Sequence, residues 1–371
     1  MRLVDLRGST ATASSTPVEV RASEAAELLR LIGVVVGHDD HSSYDVGAHR
    51  VAALRAELPD ALFDRAQAIG GGEDRAFLTL SNAAARLPAP GDVDQLLTLL
   101  DTEPTLPWRM LLSIATQDLG WDDVAADAQA LAEADAAALE RLRKRCDRDD
   151  QDSEGVRRLL ATDPHDHGRE IAAIVAGVRD AVWERIGPEA MAAIERDVEH
   201  RRARLTAGED VATLVLEATN GYALEDDASV RRILLLPSFW LRPWIIVDQL
   251  HDVGTLVLST PVADAFVALP AEVPPPSLLK LTKALADEGR LKLLRRMTTG
   301  PISLGEATDQ LGVAKATAHH HLSILRQAGL VVMQGAGRST RYALRTDPGE
   351  AALDALSAYV PAQNTSNTDS A

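Results

Sequence analysis

Apolar positions recur at helical spacing over most of the first 210 residues. After Ser23, a small hydroxyl residue suited to capping, Ala25, Leu28, Leu29 and Ile32 fall on one face and predict a helix opening at Glu24. Further helices are expected at about 46–57, 59–69, 92–101, 107–118, 122–148, 168–186 and 188–206, where alanine is abundant and β-branched residues are sparse. Pro17 to Arg21 alternates and predicts a short strand, preceded by a flexible amino-terminal segment, 1–16. The character changes near Val230. Arg232–Leu236 (stopped by Pro237), Trp244–Val247 and Thr255–Ser259 are short apolar runs bounded by Pro or Gly. They fit strands of a small sheet, with a buried helical turn as the alternative for the second. Pro274, Pro275 and Pro276 favour extended backbone and predict a linker at 271–276. The expected organisation is a mostly helical regulatory or dimerisation domain over 17–270, a second domain over 277–346, and a carboxyl-terminal helix with a disordered tail over 347–371. The fold class is mainly α with small β elements, α+β.

The pattern after the linker is more specific. Leu278, Leu281 and Leu285 place a helix over Ser277–Asp287, and Leu291, Leu294 and Met297 place a second over Glu288–Met297. Ser303-Leu-Gly-Glu306 has capping-box spacing, in which hydroxyl and carboxylate each bind the other residue's backbone N–H. It opens a short helix ending near Gly312, which turns the chain into a helix from about Ala314 to Ala328. Short helix, glycine turn and second helix are helix-turn-helix grammar. At about 100° per residue, Ala318, Leu322 and Leu325 form a buried stripe. Ala316, His319, His320, Ser323 and Gln327 centre on the opposite face, with Lys315 and Thr317 in the first turn and no acid among them. Such a face hydrogen-bonds base edges and phosphates, Ala316 allowing close approach to a thymine methyl, and the helix N-terminus favours phosphate. Leu330–Met333 and Ser339–Leu344 flank the Gly-rich Gln334–Arg338 and predict a hairpin with Arg338 and Arg341 at its tip and return strand. Together these elements predict a winged helix. Arg338 and Arg341 would hold phosphate or the minor groove, and Lys292, Arg295 and Arg296 would add phosphate contacts.

Charge sharpens the division. The chain of 371 residues has a formal net charge of −17, which argues against nucleic-acid binding over the whole surface. Between Ser277 and Thr346, however, 11 Lys/Arg stand against four Asp/Glu, a surplus of seven that leaves −24 on the remainder. A basic module is joined to a strongly acidic body.

The strings Ala284–Leu294, Gly300–Glu306, Leu311–Leu322 and Leu325–Val331 resemble, in order and spacing over about 70 residues, the ArsR/SmtB winged-helix transcriptional regulators. The resemblance implies a homodimer on a palindromic double-stranded DNA operator, usually as a repressor. The chain departs from the family in two ways. His319 stands where the family often has a small hydroxyl residue. Ser303–Leu311 lacks the cysteine of the metal-sensing members, and 349–360 lacks the histidine of a second metal-site type, so no metal and no cofactor are expected. The whole chain is also similar to long members in which a winged helix follows a large amino-terminal domain, with Pro237–Trp244 as the most familiar segment.

Other candidates are weighed against plainer readings. Phe239, Trp240, Arg242 and Trp244 are read as a packed corner or, alternatively, as the wall of a site for a small-molecule effector or a dimer contact. Consecutive histidines at 319–321 point about 100° apart, which disfavours one shared ion; His321 is expected to pack inward. His38-Asp-Asp-His41 and His165-Asp-His167 read as polar loops rather than metal sites, and Gly70–Gly72 lacks the Lys-Ser/Thr of a phosphate loop. Cys146, the only cysteine, is read as a solvated helix residue. No apolar run approaches the ~18 residues of a membrane span and none follows Met1, so a cytoplasmic protein is expected. The alternatives to a regulator are an enzyme that uses the winged helix for dimerisation or docking, and a protein-interaction module joined to a DNA-binding domain. No Gly-rich cofactor loop supports the enzyme.

Overall fold

The computed structural model describes residues 16–37, 41–70, 76–118, 136–148, 154–219, 228–250, 253–268, 274–334 and 341–345, with isolated positions at 221, 222, 224 and between 356 and 360. The contacts divide the chain into two compact units. One contains Glu19–Val198 and Arg232–Thr260; the other contains Met1–Val18, Glu199–Arg231 and Pro261–Ala371. The basic segment therefore shares a unit with residues 199–231, well upstream of the triple proline.

The first unit is built on α1 (Glu24–Val36). Ser23 caps it, its Oγ accepting from Ala26 N–H at 3.3 Å. Every residue from Ala25 to Val36 is buried, because α1 packs against α2 (Ala48–Glu57), α3 (Asp60–Gly70), α4 (Ala76–Leu80) and α5 (Val93–Thr102). The two polar exceptions on α1 are paired. Glu27 accepts from the backbone N–H groups of Phe239 and Trp240 at 2.7 and 2.8 Å. Arg30 lies 3.5 Å from Glu27 and donates to Ser259 Oγ at 2.6 Å. Burying a charge without such partners would be costly.

A satellite core joins α6 (Leu106–Asp118), α7 (Ala136–Arg148) and α8 (Glu154–Leu160), with Trp108 Nε1 donating to the carbonyl of Leu159 at 2.8 Å. Cys146 belongs to it. It is 2% exposed beside Trp108, Leu112 and Leu142, which corrects the solvated reading. The charged letters around it occupy the outer face of an amphipathic helix whose inner face is Ala138, Leu142 and Cys146. The first part of the expected 122–148 helix lies outside the described residues.

The helices expected at 168–186 and 188–206 are continuous. α9 (Pro164–Val178) passes through a wide i→i+5 turn at Arg179–Trp183 into α10 (Glu184–Thr206), with Pro188 inside it. Pro188 sits in the second turn of α10, where its missing N–H interrupts the ladder to the carbonyl of Glu184 without ending the helix. α11 (Val211–Ala218), α4 and α8 were not anticipated.

The three apolar runs do form a sheet. β1 (Val18–Val20), β2 (Arg232–Ser238), β3 (Ile246–Leu250) and β4 (Thr255–Pro261) are ordered β1-β2-β4-β3, with β3 and β4 antiparallel from Ile246↔Ser259 to Leu250↔Thr255. β2 runs through Pro237 rather than stopping before it. The second run is a strand that starts at Ile246, two residues later than expected. Among the described residues no helix is long and apolar enough to cross a membrane.

Candidate nucleic-acid interface

The basic segment folds into α12 (Pro276–Leu285), α13 (Glu288–Met297), α14 (Leu304–Leu311), α15 (Lys315–Gln327) and an antiparallel hairpin, β5 (Val331–Gln334) with β6 (Arg341–Leu344). Its core contains Leu281, Leu293, Met297, Ile302, Ala307, Ala318, Leu322, Leu325, Val331 and Tyr342. Ile302 adds a single antiparallel bridge to the hairpin, exchanging backbone hydrogen bonds with Tyr342 at 2.8 and 2.7 Å.

Local chemistry sets each junction. Asp287 caps α13, accepting from Arg290 N–H at 2.9 Å, and this bond is the main reason its carboxyl titrates below the usual range. Arg290 is buried and turns back to donate to the carbonyls of Ala284 and Lys283 at 2.9 and 2.8 Å, closing the end of α12. It is therefore a structural cation. The capping box is formed on both sides: Glu306 N–H donates to Ser303 Oγ at 3.2 Å, and Ser303 N–H to Glu306 Oε2 at 2.8 Å. Gly312 ends α14 at φ +63°, a left-handed conformation that any side chain would strain.

α15 presents the face the pattern anticipated. Ala318, Leu322 and Leu325 are fully buried. Lys315, Ala316, Thr317, His319 and His320 are exposed, and Ser323 and Gln327 are half-buried. No acid occurs between residues 315 and 327. His321 turns inward, its Nδ1 3.7 Å from Asp287 Oδ1. Burial holds the Arg326 guanidinium below its usual range and Tyr342 above its own.

The other sequence candidates divide. Arg295 and Lys292 are exposed, Lys292 pairing with Glu288 at 2.7 Å. Arg296 and Arg341 both lie 3.5 Å from Glu306, and Arg341 also donates to the carbonyl of Pro301 at 3.1 Å. Glu306 thus ties the start of α14 to the return strand, a role its capping position alone did not reveal. Arg338 and the hairpin tip lie outside the described residues.

In the other unit, Phe239 and Trp240 are 3% and 0% exposed, with the Arg50 guanidinium 5.3 and 4.9 Å from their ring centroids. Arg242 is buried with Asp45 at 3.6 Å, and Trp244 is half-buried. This is the geometry of a packed corner.

The helix-turn-helix domain family matches residues 285–334, which run from the end of α12 through β5. The HTH-type transcriptional regulator CmtR of Mycobacterium tuberculosis and of Mycobacterium bovis is 36% identical over 97 residues, covering 26% of this chain and 82% of the relative. The chain belongs to the helix-turn-helix transcriptional regulators. A probable mercury resistance operon repressor of Streptomyces lividans is 33% identical over 102 residues, 27% of this chain and 81% of that protein. The HTH-type transcriptional regulator NmtR of Mycobacterium tuberculosis is 37% identical over 62 residues, 17% of this chain and 52% of its own length. No solved structure matches the chain. The family match thus falls on the basic segment of this regulator.

Proposed function

We propose that this regulator is a sequence-specific DNA-binding repressor that acts as a homodimer and has no catalytic role. The observation that carries the reading is the exposed, acid-free face of α15, beginning at Lys315 directly after the Gly312 turn. In this reading Lys315, Ala316, Thr317, His319, His320 and Ser323 enter the major groove. Arg295 meets phosphate, Arg338 and Arg341 hold phosphate or the minor groove, and Lys292, Arg296 and Arg341 do so by exchanging their carboxylate partners for it. The Streptomyces lividans relative named as a probable repressor supports the direction of regulation. Dimerisation would place two α15 helices on half-sites about one helical turn apart, and the remainder of the chain would dimerise or sense an effector.

The test is binding of the full chain to a duplex from its own promoter, read by fluorescence anisotropy from low to physiological salt. Arg338→Ala is expected to weaken binding to all duplexes and to reduce the slope of log affinity against log salt by about one unit. Failure of the unaltered chain to bind any duplex at low salt would end this reading.

A further inference from the structure

Both faces of the β5–β6 hairpin carry buried residues at its base, although Arg341 on the second face is exposed, and the winged-helix core accounts for one of the two faces. Successive strand residues point to opposite faces. Val331, Tyr342 and Leu344 lie on the side that packs into the core with Leu325 and Leu330. Val332 and its register partner Ala343 must point the other way, yet they are 1% and 8% exposed.

Within the same unit, Gly221 lies against that second face. A Cβ at Gly221 would fall 3.0 Å from Val332 Cα, 3.1 Å from the Val331 carbonyl oxygen and 3.1 Å from Val332 Cγ1. A side chain there would force the hairpin backbone to give by a few tenths of an ångström, and Gly221 also holds φ +109°, where any L side chain is strained. The segment is anchored from behind. Gly221 N–H donates to the carbonyl of Leu216 at 2.8 Å. Thr219, 1% exposed, donates its hydroxyl to the carbonyl of Val215 at 2.6 Å and accepts from Tyr222 N–H at 2.9 Å. A helix end held by its own hydrogen bonds thus lies against the base of the hairpin.

We propose that the end of α11, with Thr219, Gly221 and Tyr222, is a buttress that positions the wing for DNA, making Gly221 a positioning residue of the nucleic-acid interface. The wing would then be held at its base by chain from far upstream of the family-matched segment. The DNA part of this inference rests on the function proposed above.

The experiment compares full-length wild type, Gly221→Ala and Gly208→Ala. Gly208 is the control, with φ +89° and nothing within 4 Å of its Cβ position, so it carries a comparable positive-φ strain without the contact. Hydrogen exchange is followed by mass spectrometry, and affinity is measured for duplexes that the wild type recovers from a random-sequence pool. Gly221→Ala is expected to speed exchange in 331–334 and 341–344 while 315–327 keeps its protection, and to weaken DNA binding about tenfold; Gly208→Ala does neither. Unchanged hairpin exchange in Gly221→Ala would overturn the buttress. So would exchange accelerated equally throughout the chain, or an equal effect from Gly208→Ala. Should Gly221→Ala not fold, Thr219→Val, which loses the bond to Tyr222 N–H, must loosen the hairpin in the same way. If the wild type binds no duplex, the proposed function fails while the exchange result still decides the buttress. If the hairpin loosens and affinity holds, the positioning role is refuted.

Discussion

His167 is 8% exposed near the start of α9, and its Nε2 is buried without a hydrogen-bond partner. Burial pushes its imidazole below the ordinary value of 6.5, with Glu170 opposing weakly. The unfolded chain therefore takes up this proton at a higher pH than the folded one does. Stability is complete above about pH 6.5 and falls as pH drops from there through the lowered folded value. Glu170 and Asp163 titrate below their usual ranges, the first through the Arg65 guanidinium and the second through backbone N–H bonds at the helix start. Their contributions are lost only in a more acidic window. His167→Leu, a buried apolar replacement, is expected to stay within about 1 kcal/mol of wild type at pH 8 and to lose much of the decline between pH 6.5 and 5. Urea melts across that range decide it; an identical decline in the variant would assign the effect to other groups.

At the scale of elements, the capping box at Ser303 offers the cleanest perturbation. Ser303→Ala leaves Glu306 N–H without its side-chain acceptor, and is expected to cost about 1 kcal/mol of unfolding free energy. Glu306 would remain beside Arg296 and Arg341, so the loss belongs to α14 rather than to the return strand. A denaturation midpoint unchanged from wild type would show that the cap contributes nothing. The same motif explains what sequence reading reaches. Ser303, Gly312 and the Ala318–Leu322–Leu325 stripe act within one or two turns, so their consequences are written locally, and α13 to α15 lie where the pattern places them. Long-range packing is not written locally. Cys146 looks solvated among charged neighbours because Trp108 and Val156, which bury it, come from other helices. The continuous run from Pro164 to Thr206 reads as two helices, 168–186 and 188–206, because the widened turn at 179–183 that joins them has no letter of its own. Gly221 carries no local signal in the sequence, and only the nearness of Val332 gives it meaning.

On the whole molecule, the uneven division of charge makes its own demand. A surplus of seven positive charges over 277–346 belongs to a chain that is otherwise about −24. A polyanion such as DNA is drawn to the first and repelled by the second, and repulsion acts on every sequence alike. On the proposed function, affinity then has two terms: contacts from α15, which depend on base sequence and carry the selectivity, and a general penalty from the acidic body, which lowers binding to every duplex alike. The penalty is carried by solvent-exposed carboxylates, so salt must screen it. Replacing Asp60, Asp94 and Asp101, all exposed, with asparagine removes three negative charges without touching the winged helix. Affinity for a random duplex is expected to rise severalfold in a few millimolar salt, and the gain to fade near 0.15 M, where the screening length is about 8 Å. Affinity for a selected duplex should rise by the same factor, leaving the ratio between the two unaltered. Equal affinities of variant and wild type at low salt would show that the acidic body does not act on bound DNA. A change in the ratio would show that it takes part in reading the sequence.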